Sequence, residues 1–166
     1  MKFAEGDYGV AKTTFLQYLK IFESGIFNLD AHYYLAQACV KVKDSICALS
    51  SFQQVTDLNN KHLEPSYLYL ARHYFSINNF KESNENYLNL EKIATSNNVK
   101  REAIIRLMFG FEANENEQPE NVVTYANKVL NLDKLDNGLK NKASIILARS
   151  YFTHGNFQKA EKTFSA

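Results

Sequence analysis

An all-α solenoid of stacked helix-turn-helix repeats is the fold this sequence predicts, and three observations predict it. The stretch LARHYFSINNFKESNENY at residues 70–87 is written again as LARSYFTHGNFQKAEKTF at residues 147–164, and a supersecondary unit repeated at a fixed period is the economical source of such a copy. A bulky residue followed by a small one recurs at Leu35-Ala36, Leu70-Ala71, Phe109-Gly110 and Leu147-Ala148, at steps of 35, 39 and 38 residues. Turn-forming residues come twice per period: Lys43-Asp44, Asn78-Asn79, Gln118-Pro119 and Gly155-Asn156 inside the units, and Ser24-Gly25, Asn59-Asn60, Asn97-Asn98 and Asp136-Asn137-Gly138 between them. Two such punctuation marks per period imply two helices per period.

Taken in order, residues 1–27 supply only the second helix of a unit, because Gly6, Asp7, Tyr8, Ala11 and Phe15 superpose on Gly155, Asn156, Phe157, Ala160 and Phe164. Residues 28–62 make a full repeat in which Tyr33, Ala36 and Val40 share one helical face, and residues 63–99 make the next, with Leu68, Ala71 and Phe75 on that face. Pro65 suits a first helical turn, where no backbone donor is lost. Residues 100–137 diverge most, with Gly110 and Ala126 at the small and aromatic positions, and Pro119 opens their second helix. Residues 138–166 form the last repeat, carried by Ile145, Ala148 and Phe152 and then by Ala160 and Phe164. Both ends cut through a repeat, which predicts that the chain is a segment of a longer solenoid whose apolar Phe15, Leu16, Leu19 and Phe164 would otherwise lack cover.

These positions resemble the tetratricopeptide repeat, a helix-turn-helix of 34 residues with small and aromatic side chains at fixed places. The match rests on Leu35, Ala36, Ala48 and Phe52; on Leu70, Ala71, Tyr74, Phe80 and Tyr87; and on Leu147, Ala148, Tyr151, Gly155, Phe157, Ala160 and Phe164. The resemblance implies a right-handed solenoid over nearly the whole chain. The stretch GIFNLDAHYYLAQA, residues 25–38, is similar to the opening of repeats in bacterial cell-envelope proteins of this family, the outer-membrane-assembly lipoprotein and the periplasmic division coordinators among them. That likeness implies the periplasm, with the cytoplasm as the alternative.

Composition narrows the function. With 19 basic against 18 acidic residues and a formal charge of +1, no field favours nucleic acid or an anionic membrane. The longest apolar runs, such as AIIRLMFGF at residues 103–111, are shorter than the roughly 20 residues that span a bilayer. His32, His62, His73 and His154 lie in different hairpins without metal or catalytic spacing, and no phosphate-binding glycine loop or nucleophile elbow occurs. The acidic run EANENEQPEN, residues 112–121, lacks the ordered ligands and glycine of a calcium loop and reads as a solvated turn. Two readings stand for Cys39 and Cys47: buried free thiols, or a disulfide across the hairpin that folds their helices together. No catalytic residue, cofactor or metal site is predicted.

In the resembled family the first helix of each hairpin lines an inner groove, which maps here onto Tyr33, Tyr34, Gln37 and Lys41, then Tyr69, Arg72, Phe75 and Ser76, then Met108 and Phe111, then Arg149 and Phe152. This aromatic set with isolated arginines suits a peptide or protein segment, since Tyr and Arg dominate binding hot spots. An equal claim belongs to packing, in which Tyr33, Phe75 and Phe152 merely contact neighbouring hairpins. The lysine and asparagine clamp that some members use for a C-terminal carboxylate is missing, because Tyr33, Gln37, Tyr69, Ile104 and Met108 stand at its places. The sequence therefore predicts a non-catalytic interaction scaffold, or alternatively a structural spacer that associates with itself through open terminal helices.

Overall fold

The computed structural model describes residues 3–114 and 118–164, which form α-helices joined by turns, with no strand among them. In chain order these are α1 (Tyr8–Ile21), α2 (Asn28–Lys41), α3 (Ser45–Thr56), α4 (Leu63–Ser76), α5 (Phe80–Ile93), α6 (Asn97–Ala113), α7 (Pro119–Leu130), α8 (Asn137–Thr153) and α9 (Phe157–Phe164). They divide into two compact units, Met1–Leu70 and Ala71–Ala166, with the division inside α4. No helix among the described residues is long and apolar enough to cross a membrane.

One device makes three of the hairpin turns. Lys43, Asn78 and Gly155 adopt the left-handed conformation at φ 61°, 58° and 75°, which lets the chain leave a helix and start the next at once. Behind each, the backbone amide of the following residue reaches five residues back: Asp44 to Cys39, Asn79 to Tyr74 and Asn156 to Tyr151, all at 2.8–2.9 Å. The same residue then stands at the start of the next helix. Asp44 accepts a hydrogen bond from the Cys47 amide, as Asp7 does from Val10 and Asp136 from Leu139, satisfying donors that a helix start leaves orphaned.

In the first unit α1 packs on α2 and α2 on α3, around Ala11, Phe15, Ala31, Leu35, Ala38, Cys39 and Ala48. Cys39 and Cys47 are joined by a disulfide between α2 and α3, so the free-thiol reading is corrected; the hairpin turn sets the two Cα atoms 5.8 Å apart, within the ordinary bridging range. In the second unit α5 to α9 pack each on the next.

The small positions behave as close-approach points. Ala36, Ala71, Ala148, Ala48 and Ser83 are fully buried, and the Ser83 hydroxyl donates to the Ala71 carbonyl at 3.1 Å. At Gly110 a Cβ would stand 2.0 Å from the Asn84 carboxamide oxygen, so the glycine that makes this repeat divergent is there because Asn84 occupies its methyl space. Of the aromatic positions that end each unit, Phe52 and Tyr87 are buried and Phe164 is exposed.

Polar contacts follow the repeat as well. Within the first unit Lys12 pairs with Asp44 at 2.6 Å and Asp30 with Lys61 and His62 at 3.0 and 2.6 Å. Within the second, Arg72 pairs with Glu102, Lys128 with Glu91 and Arg149 with Glu112, and the Arg101 guanidinium donates to the Asp133 carbonyl. The partners lie 30 to 37 residues apart, about one repeat.

Candidate functional site

In the first unit the ring-bearing groove candidates are tied into packing. Tyr33 stacks on His62 with centroids 3.8 Å apart and meets Phe52 edge-on; its phenol is pushed upward chiefly by burial. Tyr34 stacks against Phe15, and Tyr69 tilts on Phe52 at 4.6 Å. The half-buried state of these rings and of Gln37 makes them walls of the unit rather than projecting contacts. Lys41 is exposed, its ammonium 5.9 Å from the Tyr8 ring. His62 is buried against the Asp30 carboxylate, whose pKa is held below the usual range by hydrogen bonds from Lys61 and His62.

In the second unit several candidates converge on an open depression. Arg72, Phe75 and Ser76, on the last turn and a half of α4, line an open cleft of about 350 Å³ together with Tyr87 of α5 and Glu102 and Arg106 of α6. Arg72 grips Glu102 with two hydrogen bonds, at 2.6 and 2.5 Å, and that contact lowers the Glu102 pKa and raises the Arg72 pKa. The pair is partly exposed, so it orients the two side chains more than it stabilises the fold. Arg106 lies over the Phe75 ring, 4.7 Å from its centroid, a cation-π contact that holds an otherwise long, mobile side chain in place. Among the described residues no salt bridge joins Arg106 to a carboxylate, although its charge and that of Glu102 act on each other. Below them Tyr87 is fully buried; its hydroxyl makes no hydrogen bond of ordinary geometry although the Glu102 charge reaches it, and burial first, then that charge, push its pKa up to about 12.

A second depression of about 400 Å³, lined by Asn98, Arg101, Ile105 and Phe109, shares Glu102 and Arg106 with the first. Glu102, Ile105, Arg106 and Phe109 sit at i, i+3, i+4 and i+7 on α6, one stripe of a helix. Counting Arg72, Arg101 and Arg106 against Glu102, the combined walls are cationic, with Phe75, Ile105 and Phe109 supplying the apolar part.

Other candidates are placed elsewhere. Met108 and Phe111 are buried at 0% and 2% exposure, which corrects their assignment to the groove: they lie on the face of α6 that meets the unit interior, Phe111 stacked on Tyr125 at 5.3 Å. Arg149 is not an isolated cation, because it is bonded to Glu112 of α6. Phe152 is exposed and meets Phe157 edge-on at 5.2 Å. Sequence reasoning missed Tyr87, Glu102 and Arg106; the α6 stripe was the signal that could have found the last two. The acidic run considered at residues 112–121 lies partly outside the described residues, at 115–117. Among the described residues, the one cluster of potential metal ligands is Cys39, Asp44 and Cys47, whose ligand atoms lie within 4.8 Å of one another, the two sulfurs being joined in the disulfide.

No protein-family model matches the chain, and no curated protein matches it. Solved structures do. MamA 41-end from Desulfovibrio magneticus RS-1 aligns over 99% of this chain and 85% of that one, with a TM-score of 0.57 and 15% identity; a crystal structure of MamA gives 99% and 88%, 0.56 and 17%. The nearly identical TPR-like repeats of a kinesin-light-chain-type protein from Podosopora anserina align over 99% and 86%, with a TM-score of 0.53 and 18% identity. At these identities the likeness establishes the fold, a helical repeat of the TPR type.

Proposed function

We propose that this chain is a non-catalytic scaffold that holds a peptide or protein segment in the α4–α6 cleft of its second unit. The observation that carries the reading is the convergence of Arg72, Phe75, Ser76, Tyr87, Glu102 and Arg106 on one open depression, with Arg106 held over Phe75 and, among the described residues, joined to no carboxylate by a salt bridge. A segment offering an apolar side chain to Phe75 and an acidic one to Arg106 fits that chemistry, because ring contacts and arginine anchors dominate interface energetics. Selection of peptides from a random displayed library tests it. Enriched sequences should combine aliphatic or aromatic residues with Asp or Glu, and their affinity should fall at least tenfold in Arg106→Gln and in Phe75→Ala. Enrichment of nothing, or of peptides indifferent to both substitutions, rejects the cleft.

A second reading is supported by a different observation. Phe152, Phe157 and Phe164 are exposed at 61%, 61% and 62%, an apolar surface suited to self-association. Sedimentation across a concentration range decides it: dimerisation that disappears in Phe152→Ser with Phe157→Ser supports the reading, and a monomer at every concentration removes it. For location, the Cys39–Cys47 disulfide supports the cell-envelope expectation, since such bonds persist in oxidising compartments.

A further inference from the structure

The α2–α3 turn brings three metal-ligating groups to one point by means that do not depend on the disulfide. Cys39 is on the last turn of α2 and Cys47 is the third residue of α3. Between them the turn is closed by backbone hydrogen bonds from Asp44 to Cys39 at 2.8 Å and from Lys43 to Val40 at 3.1 Å. Asp44 is fixed in turn: one carboxylate oxygen accepts the Cys47 amide at 3.1 Å and the other receives the Lys12 ammonium at 2.6 Å. Opening the sulfur–sulfur bond therefore leaves both thiols and the carboxylate facing one another.

We propose that, when a dithiol reduces this bond, the Cys39 and Cys47 thiolates and the Asp44 carboxylate take up one thiophilic divalent cation of the zinc class. The reductant supplies two electrons and becomes a disulfide, each cysteine sulfur gains a proton, and both protons leave as the cation binds. Zinc–sulfur bonds of about 2.3 Å at a tetrahedral angle hold two sulfurs roughly 3.8 Å apart, a spacing that the 5.8 Å separation of the two Cα atoms accommodates by side-chain rotation. Soft thiolates select zinc or cadmium over magnesium or calcium. Two thiolates and one carboxylate around a doubly charged cation leave one negative charge, which the Lys12 ammonium on Asp44 offsets as an outer partner of the ligand. The N-terminus of α3 favours the Cys47 thiolate. Three protein ligands leave the fourth position to water. The inference is independent of the cleft, and the redox poise of the compartment selects between the stapled and the metal-bearing state.

Titration of the whole chain with cadmium tests it, after reduction by a dithiol and removal of the reductant under nitrogen. The reduced chain should bind one cadmium ion, read by native mass spectrometry and by the ultraviolet thiolate-to-cadmium charge-transfer band, and the oxidised chain should show no band. Asp44→Asn keeps the cap of α3 and should weaken binding tenfold or more; Cys47→Ser should abolish the band. A reduced chain that gives no band, or an Asp44→Asn chain that binds with unchanged affinity, overturns the site, and the Asp44→Asn titration decides alone should Cys47→Ser not fold.

Discussion

In the α4–α5 copy of the repeated stretch, Phe75 meets Phe80 edge-on at 5.4 Å, and in the α8–α9 copy Phe152 meets Phe157 in the same manner at 5.2 Å. Both copies turn through a left-handed residue, Asn78 in one and Gly155 in the other, and close with the same backbone hydrogen bonds. Their surroundings differ. Over the first copy lies α6, which sets Arg106 on Phe75 and helps to bury Tyr87 completely; in the second, Phe152, Phe157 and Phe164 are all more than half exposed. One pattern thus encodes two separable things. Hairpin geometry is local to the eighteen or so residues that carry it, as expected of a unit that stacks by nearest-neighbour contacts, while burial of its rings is contributed by whichever helix follows.

Substitutions can break or sharpen this contrast, and the largest effect belongs to Tyr87. Tyr87→Ala should cost about 3–5 kcal/mol in denaturant unfolding, the range for emptying a buried aromatic site. Gly110→Ala, on the helix that covers the first copy, should cost about 1–3 kcal/mol because its methyl has to displace the buried Asn84 carboxamide; adding Asn84→Ala should recover part of that loss, and strict additivity of the two would refute the contact. Ser83→Ala removes the buried bond to the Ala71 carbonyl and should cost about 0.5–1.5 kcal/mol, whereas Ala160→Ser, which writes the same hydroxyl into the second copy, should lose less. Phe164→Ala, the counterpart of the first substitution, should stay within about 0.5 kcal/mol as an exposed site. Alkaline titration gives the contrast another form. A phenol whose folded pKa is raised to about 12 stabilises fully below the ordinary tyrosine value near 10 and loses that contribution as pH climbs from there through about 12. Tyr87→Phe should flatten the stability loss in that window, leaving the shares due to Tyr125, whose pKa burial and the Glu91 carboxylate also raise, and to Tyr33 and Tyr69, raised chiefly by burial.

The helices were legible because their signals are local: small residues, turn residues and helical spacing recur within each unit, and Lys43, Asn78 and Gly155 sit where the turns were expected. The site was legible only in part. Arg72, Phe75 and Ser76, expected in a groove, line the proposed cleft because they lie on the face of α4 that the repeat marks. Met108 and Phe111 were misplaced because α6 carries apolar residues on two faces, Ala103, Ile104, Leu107, Met108 and Phe111 on the buried one and Ile105 and Phe109 on the one lining the depression, so spacing alone could not say which face looked outward. Glu102 and Glu112 went unnoticed as partners of Arg72 and Arg149 because pairing across a repeat is invisible to any short window. Gly110 read as a departure from the pattern, and only the position of the Asn84 side chain explains it.

The one-repeat spacing of the ion pairs bears on how such a chain could be rearranged. Removing a whole helix pair would break the ion pairs that reach into it, such as Arg72–Glu102 and Arg149–Glu112 if α6 and α7 went, but partly exposed pairs contribute little and every remaining helix would keep its packing face. A deletion of two or three residues inside a helix would instead rotate everything beyond it and set those same charges against the wrong neighbours. Length changes in this molecule are thus expected to be tolerated in whole modules or in the connecting loops, and resisted everywhere else.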